Sequence, residues 1–163
     1  MSRRKMLALL AAVVLTVPAF AGELKVGDAA PEIQVKEWLN APGPLSLAAL
    51  KNKIVVVEFW ATWCPPCRKS IPHLIEMNAK YKDKGVVILG LTDEPKAKVQ
   101  KFATDMKMDY PVGMGSNSGN AYGVSGIPAA FVVAGGKIVW SGHPMSGLDK
   151  AIEAALAKTP PQK

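Results

Sequence analysis

The chain has 163 residues and a formal net charge of +7, and 49% of its residues are hydrophobic. That length suits one ordinary domain and leaves too little chain for a second. Three positive charges lie together at residues 3–5, and the other lysines are scattered without a block of like charge, which excludes a strongly basic nucleic-acid binder. Two cysteines are too few for a disulfide-dense scaffold or a four-cysteine zinc site.

Residues 1–21 have the pattern of an export signal. A positive segment at residues 3–5 precedes the apolar run 6–17, and Ala19-Phe20-Ala21 supplies the small residues that a signal peptidase requires. We predict cleavage after Ala21 and a periplasmic location. A retained membrane anchor is less favoured because the apolar run is shorter than the roughly 20 residues of a membrane span. The two arginines also resemble a twin-arginine motif, but ordinary Sec export is favoured.

Residues 22–163 are predicted to form a single α/β domain. The lead-in, residues 22–53, has a short extended stretch at 33–35 and a helical turn capped by Ser46. The later elements alternate between strand and helix patterns. Strands are predicted at 54–60, 86–91 and 112–114, and a hairpin joins 130–133 to 137–141. Helices are predicted at 64–82 and 96–106, with a turn of helix near 120 and a last helix that is capped by Ser146 and ends near 158. This order predicts a mixed sheet covered by helices on both faces.

A Cys-x-x-Cys motif, Cys64-Pro65-Pro66-Cys67, follows the strongest strand at the start of a predicted helix. The unpaired N–H groups of a helix N-terminus stabilise a thiolate, which lowers the pKa of such a cysteine to about 3.5–7.5. Two prolines suit the first helical turn, where missing N–H groups cost nothing. We therefore predict that Cys64 is a solvent-reachable attacking thiolate and that Cys67 is the resolving thiol.

Glu58 is the second candidate, because it is the one ionisable residue in an otherwise apolar strand, six residues before Cys64. Burial would raise its pKa and allow it to exchange a proton with Cys67. The alternative is a glutamate at a strand edge that contacts water.

A metal site and a purely structural disulfide are the alternatives for the cysteine pair. Only His73 and His143 could complete a metal site, and we predict no metal and no bound cofactor. A disulfide that closes so short a loop restrains the chain little. A redox role is therefore favoured.

The motif residues resemble the thioredoxin superfamily. They are Glu58 to Lys69, including Trp63 and the cysteine pair, with Pro72 in the helix and Gly126-Ile127-Pro128 before a strand. Within this superfamily, the leader, the Ala-Thr-Trp-Cys-Pro-Pro-Cys-Arg motif and the segment 96–123 resemble the TlpA/ResA/CcmG branch of periplasmic thiol–disulfide oxidoreductases more than thioredoxin itself. The resemblance covers roughly residues 26–158.

This resemblance implies a thioredoxin fold with an extra N-terminal strand or hairpin from residues 26–53. It implies that Cys64 and Cys67 are the redox pair, with Glu58 at the place of the buried acid of thioredoxin. Five residues would contact substrate: Trp63, Pro65, Pro66, Ile127 and a cis Pro128. One departure is that residues 90–93, Gly-Leu-Thr-Asp, lack the lysine that neighbours the buried acid in thioredoxin.

The expected function is reduction of disulfides in periplasmic proteins, with the cysteines of apocytochrome c among the candidate substrates. A membrane thiol reductant of the DsbD/CcdA type would regenerate the reduced form of the protein. The protein is expected to be a monomer. Alternatives are a thiol oxidase or isomerase with the same pair, and a Sco-type copper chaperone, which spaces its cysteines by three residues and would need His143. A peroxiredoxin is discounted because Val57 and Ala61 stand where its Pro-x-x-x-Thr-x-x-Cys pattern requires proline and threonine.

Overall fold

The computed structural model describes residues 24–159, so the predicted leader, residues 1–21, lies outside the described part of the chain. Within it the strands are β1 (Glu37–Leu39), β2 (Ile54–Phe59), β3 (Val86–Leu91), β4 (Val112–Met114), β5 (Ala129–Ala134) and β6 (Lys137–Gly142). The helices are α1 (Pro65–Tyr81), α2 (Lys96–Asp105), α3 (Ser118–Ala121) and α4 (Leu148–Lys158), with a 3-10 turn at Lys82–Lys84. Among these helices, none has the length and apolar character that crossing a bilayer requires.

The strands form one six-stranded mixed sheet in the order β1-β4-β3-β2-β5-β6. β3 pairs in parallel with β2 and with β4, whereas β5 pairs antiparallel with β2 and with β6. All six residues of β2 are buried, because this strand has neighbours on both edges and cover on both faces. Its β-branched sequence is typical of such a strand, and the predicted mixed sheet is confirmed.

The two faces of the sheet are covered differently. Val56 and Trp60 pack with the buried sides of α1, α2 and α4. Val55, Val57 and Phe59 face the other way and pack with the lead-in and with the residue that follows α3; these partners include Leu24, Ile33, Leu47 and Tyr122. The three long helices therefore share one face, which is also the face toward which Glu58 points by strand alternation.

The lead-in adds an edge strand, as expected, but not where the short extended stretch was predicted. Residues 33–35 are not a strand; β1 begins two residues later and pairs antiparallel with β4. Ile33 is buried against the sheet, and the Val35 methyl groups lie against Gly113, 2.9 Å from where a β-carbon there would stand. Residues 33–35 therefore pack on the face of the sheet and do not pair with its edge strand. Ser46 caps its turn as predicted, accepting a hydrogen bond from the Ala49 N–H at 3.1 Å.

The predicted Ser146 cap of α4 is wrong. The N-cap residue is Gly147, whose φ of +90° is left-handed and which offers no side-chain cap. The Ser146 N–H instead donates to the carbonyl oxygen of His143 at 2.8 Å. The chain needs a left-handed residue to pass from this turn into the helix, and glycine adopts that conformation at little cost.

Gly147→Ala is expected to lower the free energy of unfolding by about 1–2 kcal/mol, because a β-carbon is strained at this φ. Gly43→Ala is the matched control: neither position has an atom within 4 Å of an added β-carbon, and only Gly147 has a positive φ. Urea unfolding of the two variants measures the difference. Equal stabilities would contradict a conformational requirement for glycine at 147.

Candidate active site

The cysteine pair lies at the start of α1, a few residues after the end of β2. Cys64 is the N-cap of α1, with an extended backbone at φ −91° and ψ 105°, and Pro65 and Pro66 occupy the first helical positions. Cys64 and Cys67 form a disulfide with their Cα atoms 5.3 Å apart. The predicted placement of Cys64 at the helix N-terminus is confirmed.

The helix N-terminus acts directly on the sulfur of Cys64. The backbone N–H of Cys67 donates to Cys64 Sγ at 3.2 Å, so a free N–H of the first turn has this sulfur as its acceptor. A hydrogen bond to an ionised acceptor is stronger than one to a neutral acceptor. When the disulfide is reduced, this geometry therefore favours a thiolate on Cys64 rather than on Cys67.

The expectation that Cys64 is open to solvent is wrong for the oxidised form. Cys64 is only 2% exposed and Cys67 is fully buried. Surface is available beside the sulfur instead: Trp63 is 68% exposed, and Pro65 and Pro66 are both exposed. A protein partner would therefore meet these three side chains before it reaches the disulfide.

The Ile127–Pro128 peptide is cis, as the resemblance implies, and it brings a loop against the disulfide. The carbonyl oxygen of Ile127 lies 3.8 Å from Cys64 Sγ. Ile127 is half-buried and Pro128 is buried. This contact accounts for part of the cover over Cys64 and leaves the loop backbone beside the reacting sulfur.

An open groove of about 370 Å³ lies beside this site, and both Trp63 and Ile127 line it. Its polar lining comes from the loops after β3 and β4, with Thr92, Asp93 and Asn117, and from Asn120 of α3. The sequence interpretation missed these residues, although both loops follow parallel strands whose carboxyl ends share the edge at which α1 begins. A larger depression of about 830 Å³ lies beside α4 and Gly135, at the end of β5 opposite Pro128, and takes no part in this site.

Glu58 is fully buried in the central strand, so the alternative of a strand edge in contact with water is wrong. It pairs with Gly90 of β3 on one side and with Ala130 of β5 on the other. Burial raises the pKa of its carboxyl to about 8, because an apolar environment disfavours the charged form. Neither carboxyl oxygen has a hydrogen-bond partner among the described residues.

A second buried acid, Glu94, positions the turn before Cys64 and was not identified from the sequence. Its carboxylate accepts hydrogen bonds from the Thr62 N–H at 2.6 Å and from the Thr62 hydroxyl at 2.8 Å. Its own carbonyl accepts from Gly115 N–H at 3.0 Å. Glu94 therefore links the turn that carries Trp63 to the loops that line the groove.

The two histidines are engaged away from the cysteines. His73 Nε2 lies 3.2 Å from a carboxylate oxygen of Asp149, and His143 Nδ1 accepts a hydrogen bond from the Met145 N–H at 3.2 Å. Over residues 24–159 there is no group of three or more side chains of the kinds that hold a metal ion.

Comparison with known proteins places the chain in a family. Residues 26–141 match the model of the AhpC/TSA family. The chain belongs to the AhpC/TSA family. Over 121 residues it is 35% identical to the thiol-disulfide oxidoreductase ResA of Bacillus thuringiensis strain Al Hakam, a match that covers 72% of this chain and 69% of that protein.

Solved structures of other thiol–disulfide oxidoreductases share the fold. A candidate DsbE thiol:disulfide interchange protein from Chlorobium tepidum superposes with a TM-score of 0.72 at 30% identity, covering 82% of this chain and 99% of that one. The thioredoxin domain of a Bacteroides vulgatus thiol-disulfide oxidoreductase gives 0.68 at 26% identity, with 84% and 99% covered. The predicted thioredoxin fold and the predicted enzyme class, a thiol–disulfide oxidoreductase of the ResA/DsbE type, are confirmed.

Proposed function

We propose that this protein reduces disulfides of periplasmic proteins through Cys64 and Cys67. The observation that carries the proposal is the hydrogen bond from Cys67 N–H to Cys64 Sγ at the start of α1, because it selects one sulfur of the pair as the thiolate. The proposed substrate surface consists of Trp63, Pro65 and Pro66, which are exposed next to Cys64 in the chain, together with Ile127 and Pro128 of the loop beside it.

The proposed reaction passes two electrons among four sulfurs, and the protons are exchanged with Glu58 and with solvent. The Cys64 thiolate attacks one sulfur of the substrate disulfide, and the other substrate sulfur leaves as a thiolate that takes up a proton. Cys67 then gives its proton to Glu58, attacks Cys64 Sγ and releases the second substrate sulfur as a thiolate, which takes up a proton from solvent. Two electrons pass to the substrate, and the Cys64–Cys67 disulfide seen in the structure is formed.

Glu58, in its ionised form, is the proposed acceptor of the Cys67 proton. It lies on the sheet face that α1 covers, and its pKa of about 8 is near that of an ordinary thiol. Proton transfer between groups of similar pKa has little thermodynamic cost. The same carboxyl returns the proton to Cys67 when the disulfide is reduced again.

The cellular setting is proposed from the leader and from the relatives. Residues 1–21 would direct export and be removed, leaving residues 22–163 as one monomeric thioredoxin-like domain in the periplasm. In that oxidising compartment a dithiol persists only if it is continually reduced, and a membrane reductant of the DsbD/CcdA type would do this. The substrate would be a disulfide-containing periplasmic protein, with apocytochrome c as one candidate in cytochrome c biogenesis.

The direction of the reaction is tested by the reduction potential of the Cys64–Cys67 pair. Equilibration with dithiothreitol or glutathione buffers, followed by quantification of free thiols, measures it. We expect a value nearer to that of thioredoxin, about −270 mV, than to that of the strongest disulfide oxidants, about −120 mV. A value at the oxidising end would overturn the reductase and favour a thiol oxidase or isomerase.

Two further assays test the remaining alternatives. Stoichiometric copper binding by the reduced protein that is lost in His143→Ala would favour a Sco-type chaperone over a reductase. Turnover of hydrogen peroxide at a physiological rate would favour a peroxidase, although Val57 and Ala61 do not fit the peroxiredoxin pattern. We expect neither result.

A further inference from the structure

The buried side-chain polar atoms without a hydrogen-bond partner, among the described residues, come from three side chains only. They are both carboxyl oxygens of Glu58, the indole nitrogen of Trp60 and the hydroxyl oxygen of Tyr110. An unsatisfied buried polar group is destabilising, and such groups in native proteins call for a specific explanation. Trp60 directly follows β2 and lies on the same face of the sheet as Glu58.

Gly90 is next to all three of these residues. It is the β3 residue directly paired with Glu58. A β-carbon at Gly90 would stand 3.0 Å from Cε2 of Tyr110 and 3.1 Å from Nε1 of Trp60. Gly90 has no positive φ, so the backbone does not require glycine here. Its missing side chain instead makes room for the two rings beside the Glu58 carboxyl.

Both rings are held in place from outside this cluster. Trp60 stacks on Phe102 of α2 with ring centroids 5.5 Å apart. Tyr110 is fully buried, and its neighbour Pro111 accepts a hydrogen bond from the Gly90 N–H at 3.0 Å. Both rings are therefore held, buried, beside Gly90, which is the residue paired with Glu58.

Among the described residues no charged neighbour shifts the pKa of Glu58, which is raised by burial alone. From α1 the titratable neighbour is Cys67. The facing residues of the other elements are apolar: Ile88 and Gly90 of β3, Ala130 and Val132 of β5, Val99 and Ala103 of α2, and Leu148 and Ile152 of α4. Asp109 is exposed and carries the same charge sign as an ionised Glu58. Burial, and then the charge of Glu58, raise the pKa of Tyr110 well above its ordinary value, so Tyr110 keeps its proton as a donor.

We propose that Tyr110 is a positioning residue for the redox reaction: its hydroxyl, with the Trp60 indole N–H, hydrogen-bonds the Glu58 carboxylate through a shared buried water and sets the pH at which Glu58 exchanges its proton. A buried water needs two to four polar partners, and the four unpartnered atoms provide them. Donors aimed at a carboxylate favour its charged form. This inference rests on the proposed function of Glu58. It assigns to Tyr110 and Trp60 the stabilisation of the carboxylate that a neighbouring lysine would otherwise provide.

The test is Tyr110→Phe, which removes the donor and keeps the ring. With ¹³C-carboxyl-labelled glutamate, an NMR titration of the oxidised protein follows Glu58, assigned by its absence in Glu58→Gln. We expect the Glu58 midpoint to move upward by about one pH unit. Tyr122→Phe is the matched control, because the Tyr122 hydroxyl donates a hydrogen bond to the Pro31 carbonyl oxygen at 2.8 Å and its ring lies on the opposite face of the sheet. This variant should leave the Glu58 midpoint unchanged.

A Glu58 midpoint in Tyr110→Phe equal to that of wild type would overturn the proposal. The titration uses no substrate, so its result does not depend on whether the protein is a reductase. In the disulfide-reduction assay we also expect the Tyr110→Phe pH profile to shift upward, and the substitution to have no further effect in a Glu58→Gln background. If Tyr110→Phe fails to fold, Gly90→Ala, which pushes on both rings, should raise the midpoint instead; an unshifted midpoint there would equally contradict the inference.

Discussion

Cys67→Ser is expected to accumulate as a mixed disulfide with its substrate, whereas Cys64→Ser is expected to trap nothing. The reason is the asymmetry of the pair. Cys67 is fully buried, while Cys64 caps the helix next to exposed Trp63. Only Cys64 can therefore meet an external disulfide, and only Cys67 can release it. In a disulfide-reduction assay each variant should lose at least about 1,000-fold in activity, since the two sulfurs act as one unit.

Trapping is measured by expressing each tagged variant in the exporting cell, blocking free thiols with acid and alkylating agent, and identifying the covalent partners by mass spectrometry. The Cys64→Ser/Cys67→Ser double variant is the control for non-covalent capture. Equal trapping by both single variants would contradict the assignment of the attacking sulfur. Recovery of a single protein class by Cys67→Ser would also identify the substrate.

The elements that could be predicted from sequence are those whose causes are local. The β-branched run of β2 shows its burial in its composition, and the two prolines after Cys64 mark a helix start because that turn tolerates missing N–H groups. For these reasons the helix N-terminus under Cys64 and the buried position of Glu58 were both foreseeable. The signal in each case lies within about ten residues of the site.

The misses have causes that are distant in sequence. Whether residues 33–35 pair at an edge or pack on a face depends on Gly113, about 80 residues away. The start of α4 depends on a turn that requires a left-handed residue, so Gly147 replaces the better hydrogen-bonding Ser146. Glu94 and Tyr110 are unremarkable in their own segments, and only the sheet order brings them to Thr62 and Glu58.

Glu58→Gln is expected to make the oxidised protein more stable at alkaline pH. The pKa of Glu58 is raised from 4.5 to about 8, so the folded state keeps a proton that the unfolded state loses between these values. Stability in this window therefore falls as the pH rises. At about pH 9 the penalty approaches 4–5 kcal/mol, from about 1.4 kcal/mol per pKa unit. Glutamine carries no charge and avoids this penalty.

Urea unfolding at about pH 5 and about pH 9 measures the effect. Wild type and Glu58→Gln should have similar free energies of unfolding at the lower pH, where the glutamate is protonated, and diverge at the higher one. Glu76→Gln, at an exposed position of α1, should follow wild type at both. The oxidised protein contains no free thiol, so no cysteine titration enters the comparison. Parallel curves for wild type and Glu58→Gln would contradict the raised pKa of Glu58 and, with it, the matched pKa values on which its proton exchange with Cys67 depends.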